Sequence, residues 1–112
     1  MEIKDKIIVW KDFSDSLGAR YRTDGPFSGQ EFLEEHLEPK FDKAVEGNYI
    51  LDIDLDGVWG YPSSFVSGSF GKLSLKHGSE KILKHIQFKS EQSALRLEKI
   101  INEIKKPRKY DK

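Results

Sequence analysis

The sequence contains no cysteine and a single methionine. Without thiols there can be no disulfide framework and no thiolate metal site, and the chain suits a reducing compartment. Long apolar runs are missing as well. The N-terminal run Ile7-Ile-Val-Trp10 falls far short of a signal core or of the roughly 20 residues of a membrane span. A dominant charge is also lacking: 19 basic and 19 acidic side chains give a formal net charge of zero. That balance argues against broad attraction to nucleic acid or to anionic lipid. The expectation is a cytoplasmic protein, monomeric or weakly dimeric, with no nucleic acid or membrane partner. A chain of 112 residues suffices for one domain with its own core, 1–112. Charge is nevertheless uneven. Residues 24 to 56 lean acidic, and Lys105-Lys-Pro-Arg-Lys109 opens a basic tail, 105–112, that reads as solvated and frayed.

What is present is a regular alternation of elements. Ile7 to Trp10 is a β-branched run, and Ala19-Arg-Tyr-Arg-Thr23 alternates apolar and polar residues. The turn-rich Asp12 to Gly18 between them predicts an antiparallel hairpin or arch. Ser28-Gly-Gln-Glu31 fits a capping box, with Phe27 and Phe32 at the staple positions. A helical stripe then runs through Phe32, Leu33, Leu37, Phe41, Ala44 and Val45, with Pro39 predicting a kink or restart. Tyr49-Ile-Leu-Asp-Ile-Asp-Leu55 is a strand by its period of two. A helix over Ser63 to His77 that places Phe65 and Phe70 in or near the core, a strand over Ile82 to Phe88, and a last helix whose apolar stripe is Ala94, Leu95, Leu97, Ile100, Ile101 and Ile104 complete the order ββαβαβα. The fold class is therefore α/β: a four-stranded mixed sheet packed with about three helices, its last three strands parallel with right-handed crossovers.

Several motifs suggest chemistry and then fail. Asp52-x-Asp54-x-Asp56-Gly57 resembles the start of a calcium loop, but Ser63 stands where the closing Glu belongs. Gly71-Lys72 is followed by Leu73 rather than the Ser or Thr of a phosphate loop. His36, His77 and His85 fall on separate elements without a second ligand at metal spacing. With no nucleophile elbow, zinc-helix pair or dinucleotide fingerprint, the expectation is a non-enzyme without metal or cofactor.

The most informative stretch runs from Gly57 to Leu73, where an apolar strand turns at Gly60 and Pro62 into a helix opened by Ser63 and Ser64. A serine there either caps the helix or accepts a phosphate, which unpaired N–H groups and the positive dipole end favour. Gly18-Ala-Arg-Tyr-Arg-Thr-Asp-Gly-Pro-Phe-Ser-Gly-Gln-Glu-Phe32, the Leu-Asp-Ile-Asp-Leu-Asp-Gly run to Val58, Tyr61-Pro-Ser-Ser-Phe65 and Ser69-Phe-Gly71 together resemble the bacterial STAS-like domain of unknown function. That family is similar to the STAS domains of anti-sigma-factor antagonists. The resemblance implies a regulatory protein-binding module whose loop serine is phosphorylated by a histidine-kinase-like ATPase partner. On this chain it places the phosphosite at Ser63, with Ser64 beside it, Pro62 at the family's Asp position and Phe65 at its Gly position. Tyr61, Phe65, Ser67, Arg20 and Arg22 are the expected partner-binding residues. The alternative is a small-ligand or nucleotide sensor using Arg20, Arg22 and the Ser63 turn at the strand ends.

Overall fold

The computed structural model describes residues 1–109, so positions 110–112 of the expected tail lie outside the described residues. Strand β1 (Ile3–Ile8) runs straight into a single helical turn, α1 (Val9–Asp12). Helix α2 is continuous through Gly29–Phe32, a π turn at Leu33–Leu37, and Glu38–Gly47. It ends at Asn48 in the left-handed conformation, which relieves the last turn and leads into β2 (Ile50–Asp54). Helix α3 likewise joins Ser63–Val66, a π turn at Ser67–Gly71, and Lys72–His77. Then follow α4 (Ser79–His85), β3 (Ile86–Lys89) and α5 (Ala94–Lys105).

Among the described residues the sheet has three strands in the order β1-β2-β3, and both pairings are parallel. This corrects the expected four-stranded mixed sheet. Ala19–Thr23 adds no strand because its carbonyls serve a helix instead. Ala19 O accepts from Gly29 N at 2.8 Å and Arg20 O from Gln30 N at 3.0 Å, filling acceptor roles that the start of α2 lacks. The Asp24 carboxylate also accepts from Tyr21 N, closing the segment into a 3₁₀ turn at Arg22–Asp24. At the other end, Ile82 and His85 belong to α4, so β3 is shorter than the apolar run predicted. About five helical pieces therefore replace the expected three.

One face of the sheet carries the core. Ile7 pairs with Ile53 and Leu51 with Ile86, and all four are buried with Leu55 beneath Phe32, Phe41, Phe65, Phe70 and Leu73. The opposite face pairs Lys6 with Asp52 and places Lys89 3.8 Å from the Asp54 carboxylate. Asp52 and Asp54 are thus strand residues matched to lysines, as the alternation predicted, and not part of a calcium loop. Asp56 accepts from the N–H groups of Glu91 and Gln92, both at 3.0 Å, and so ties the loop after β2 to the start of α5. Helix α5 buries Ile100 and Ile104 of the expected stripe, while Leu97 and Ile101 remain partly exposed and Leu95 is exposed.

Pro39 has no N–H to give to the carbonyl four residues back. The helix adapts by a π turn: Glu38 N–H bonds Leu33 O, five residues earlier, and the chain continues without a break. Glu38 then joins α2 to the end of α3, lying 2.9 Å from Lys76 Nζ and 3.0 Å from His77 Nε2. Partial burial opposes its ionisation, but the hydrogen bonds from Lys76 and His77 outweigh this and hold the carboxyl below its ordinary 4.5.

Two outcomes follow. Ile53→Ala removes a fully buried side chain from the central strand. It should cost about 2–5 kcal/mol in urea melts, and a loss below about 0.5 kcal/mol would contradict the burial. Because the folded pKa of Glu38 is depressed, its contribution is complete above the unfolded value near 4.5 and disappears as pH falls through the folded value. Glu38→Gln should therefore lower stability at neutral pH and make its decline below that value shallower than in the wild type. An unchanged acid limb in pH-dependent thermal melts would refute the assignment.

Candidate functional site

The start of α3 is fixed by backbone lying directly on backbone. A Cβ on Gly29 would stand 2.5 Å from Phe65 O and 3.0 Å from Gly68 C, and a Cβ on Gly68 would stand 2.8 Å from Arg20 O. Only glycine permits α2, α3 and the Arg20 segment to meet this closely. Ser28 is buried at this junction and caps α2, its Oγ accepting from Glu31 N at 3.1 Å. The return bond of the expected capping box is displaced by one residue, since Glu31 Oε1 accepts from Phe27 N rather than from the cap. Phe27 sits at φ 55°, and the staple to Phe32 passes through Phe13, whose ring centroid is 5.5 Å from Phe27 and 5.2 Å from Phe32.

The loop from β2 to α3 is braced by Tyr61. Its hydroxyl donates to Leu55 O at 2.9 Å, and the Arg96 guanidinium lies 5.0 Å from its ring centroid. Burial drives the phenol far above its ordinary value, so Tyr61 stays a neutral donor. Gly57, at φ 82°, passes so close to Trp10 that a Cβ would be 2.6 Å from the indole. Beyond it Trp59 projects outward with 85% of its surface exposed, its backbone N–H donating to Asp15 O.

Pro62 occupies the N-cap of α3 and no side chain caps that helix. Ser63 is therefore the first helical residue, exposed, and not the cap it was considered for; the Pro62 carbonyl accepts the first intrahelical bond, from Val66 N at 3.0 Å. Ser64 is half-buried. The basic tail, expected to fray, instead returns to this turn at Arg108. Arg108 pairs with Glu103, Nε to Oε1 at 3.0 Å, and its Nη2 donates to Ser63 O at 2.7 Å. Between tail, α5 and α3 lies a concavity of about 660 Å³ lined by Tyr61, Ser63, Val66, Lys99, Lys106 and Arg108 among others.

The remaining predicted residues are distributed differently. Phe65 and Ser67 are buried within the fold and offer no exposed face. Arg22 is engaged by Glu34 at 3.1 Å and Glu35 at 3.0 Å, which raise its pKa further, Glu35 most strongly. Arg20 packs against Gly68 beside the π turn of α3. Sequence reasoning missed Trp59, Lys99 and Arg108. A tryptophan between Gly57 and Gly60 was the available signal for the first, whereas nothing local places residues 99 and 108 beside Ser63. Of the histidines, His85 Nδ1 lies 2.9 Å from Tyr49 O and His36 packs on Phe13 and Phe32. Glu38, Asp42 and His77 bring ligand-type atoms within 4.8 Å of one another, but Lys76 already occupies Glu38, making this an ion-pair network.

Among the described residues, no helix is long and apolar enough to cross a membrane. Gly29→Ala should destabilise by about 1–3 kcal/mol because Phe65 O cannot withdraw without moving α3. Gly60→Ala, where a Cβ meets nothing within 4 Å, should stay within about 0.5 kcal/mol. Equal denaturation midpoints for the two variants would show that the helix contact is not tight.

A family model described as a STAS-like domain of unknown function matches residues 28–95, which include α2, β2, α3, α4, β3 and the turn at Ser63. The chain belongs to that family. No curated protein and no solved structure matches it.

Proposed function

From its place among STAS-like domains, we propose that this chain is a non-catalytic, cytoplasmic regulatory module that binds a protein partner at the Tyr61–Ser63 turn. Phosphorylation of Ser63, with Ser64 as the second acceptor, switches that binding, and a histidine-kinase-like ATPase is the partner that the family resemblance favours. The module needs no cofactor and works as a monomer or weak dimer.

The observation that carries this reading is the state of Ser63. It is exposed at the first position of α3, it is not the helix cap, and a guanidinium already rests on its carbonyl. A phosphate there would add roughly −1.5 to −2 charges next to a helix N-terminus and Arg108, where such charge is well tolerated. A partner seated over the same turn would meet a changed potential. Ser64 is less accessible, so Ser63 is the preferred acceptor. The ligand-sensing alternative has less support, because Arg22 would have to leave Glu34 and Glu35 to reach a ligand.

Ser63→Glu should fold normally, since an acid in the first helical turn is favourable by roughly 0.3–1 kcal/mol, and it should change partner affinity. Ser63→Ala should behave as the unmodified protein. The check is a pull-down from the source organism with phosphopeptide mass spectrometry of segment 58–76, followed by affinity measurements on both variants. An unmodified segment together with wild-type affinity for both variants would remove the switch and leave a static binding module.

A further inference from the structure

The concavity beside Ser63 is one part of a larger surface. Tyr61 forms a wall of three hollows, of about 660, 160 and 510 Å³, so the three adjoin around a single side chain. At one end stand Leu17, Trp59 and Pro62, and at the flank Leu95, which is 67% exposed. At the other end stand Lys99, Lys105 and Lys106, all exposed. Among the described residues none of these three lysines has an ion-pair partner, and Glu103 is the single acidic residue on the walls. That carboxylate is committed to Arg108. A chain of zero net charge has therefore gathered unneutralised cations at one end of an apolar surface.

We infer that the partner contacts this surface with an acidic amphipathic segment, its apolar residues against Leu17, Trp59 and Leu95 and its carboxylates towards Lys99, Lys105 and Lys106. The inference rests on the protein-binding reading above but not on phosphorylation. Exposed tryptophan is a frequent energetic anchor of interfaces, and an exposed apolar patch of this kind marks an interaction site. Opposite charge then sets partner choice and association rate. A nucleic acid is the poorer occupant, because the cations lie at one end only and do not form a track for a phosphate backbone. The arrangement also explains how phosphate at Ser63 would act: it would put negative charge into the hollow that receives the partner's carboxylates.

The test uses the full chain and two short synthetic helical peptides with the same leucine pattern, one carrying Glu and the other Lys at the polar positions. Fluorescence anisotropy at low salt should show the Glu peptide binding at least about tenfold more tightly than the Lys peptide. Added salt should reduce that preference. Lys99→Glu combined with Lys106→Glu should reverse it, while Trp59→Ala should weaken both peptides alike. If the charge reversal impairs folding by circular dichroism, Lys99→Gln with Lys106→Gln should abolish the preference instead. Equal binding of the two peptides, no binding of the Glu peptide, or displacement of it by a single-stranded oligonucleotide overturns the inference. An unmodified Ser63 with intact charge preference would instead remove only the switch.

Discussion

The crossing of α2 and α3 at Gly29 and Gly68 is the contact on which the other features depend. There the carbonyl of Phe65 lies where a side chain would otherwise stand, and Arg20 O approaches from the other side. This brings the Ala19–Arg20 carbonyls over the first N–H groups of α2, so the same approach that seats α3 also caps its neighbour. It buries Ser28, leaves Phe65 in the core, and sets the angle at which α3 leaves the turn at Pro62. The exposure of Ser63 is a consequence of that geometry.

The sheet beneath is unusual in its economy. Parallel sheets are generally covered on both faces, yet here the helices lie on one face and the other carries a ladder of Lys and Asp. Such pairs are worth little individually when exposed, and their role is to keep a polar face in register. Lys6 opposite Asp52 and Lys89 near Asp54 would be mismatched by a one-residue slip, which would also turn Leu51 and Ile53 outward. The hydrophobic face and the charge ladder therefore specify the same register.

The site combines fixed and responsive parts. Tyr61, half-buried and bonded to Leu55 O under Arg96, is a fixed post. Trp59 on one side and Lys99, Lys105 and Lys106 on the other are exposed. Arg108 links the two regimes, since it joins the last helix to the first residue of α3 through Glu103 and the Ser63 carbonyl. A change of charge at Ser63 would thus be felt by the tail and by the proposed docking surface together. That is the sort of local electrostatic event by which a modification acts on a binding surface.

How much of this was legible in the sequence divides along a physical line. The period-two run of β2, the Ser28 cap, the accommodation needed at Pro39 and the helix from Ser63 to His77 are all local. Each depends on neighbours within a few residues, so each could be read from spacing and residue type. The family resemblance was legible for the same reason, because its motifs lie in these segments. Ala19–Thr23 was misjudged because alternation alone does not reveal that a distant helix will claim its carbonyls. Phe65 is buried as its place on the apolar stripe implied, and so cannot also meet a partner, whereas Ser67 was misjudged because helical phase near a π turn is not fixed by the sequence pattern. The grouping of residues around Tyr61 was decided by tertiary structure. Residues 59, 61, 63, 95, 99 and 108 are brought together by the return of α5 and its tail across α3, and no periodicity encodes an approach between segments separated by some forty residues of chain, as Ser63 and Arg108 are.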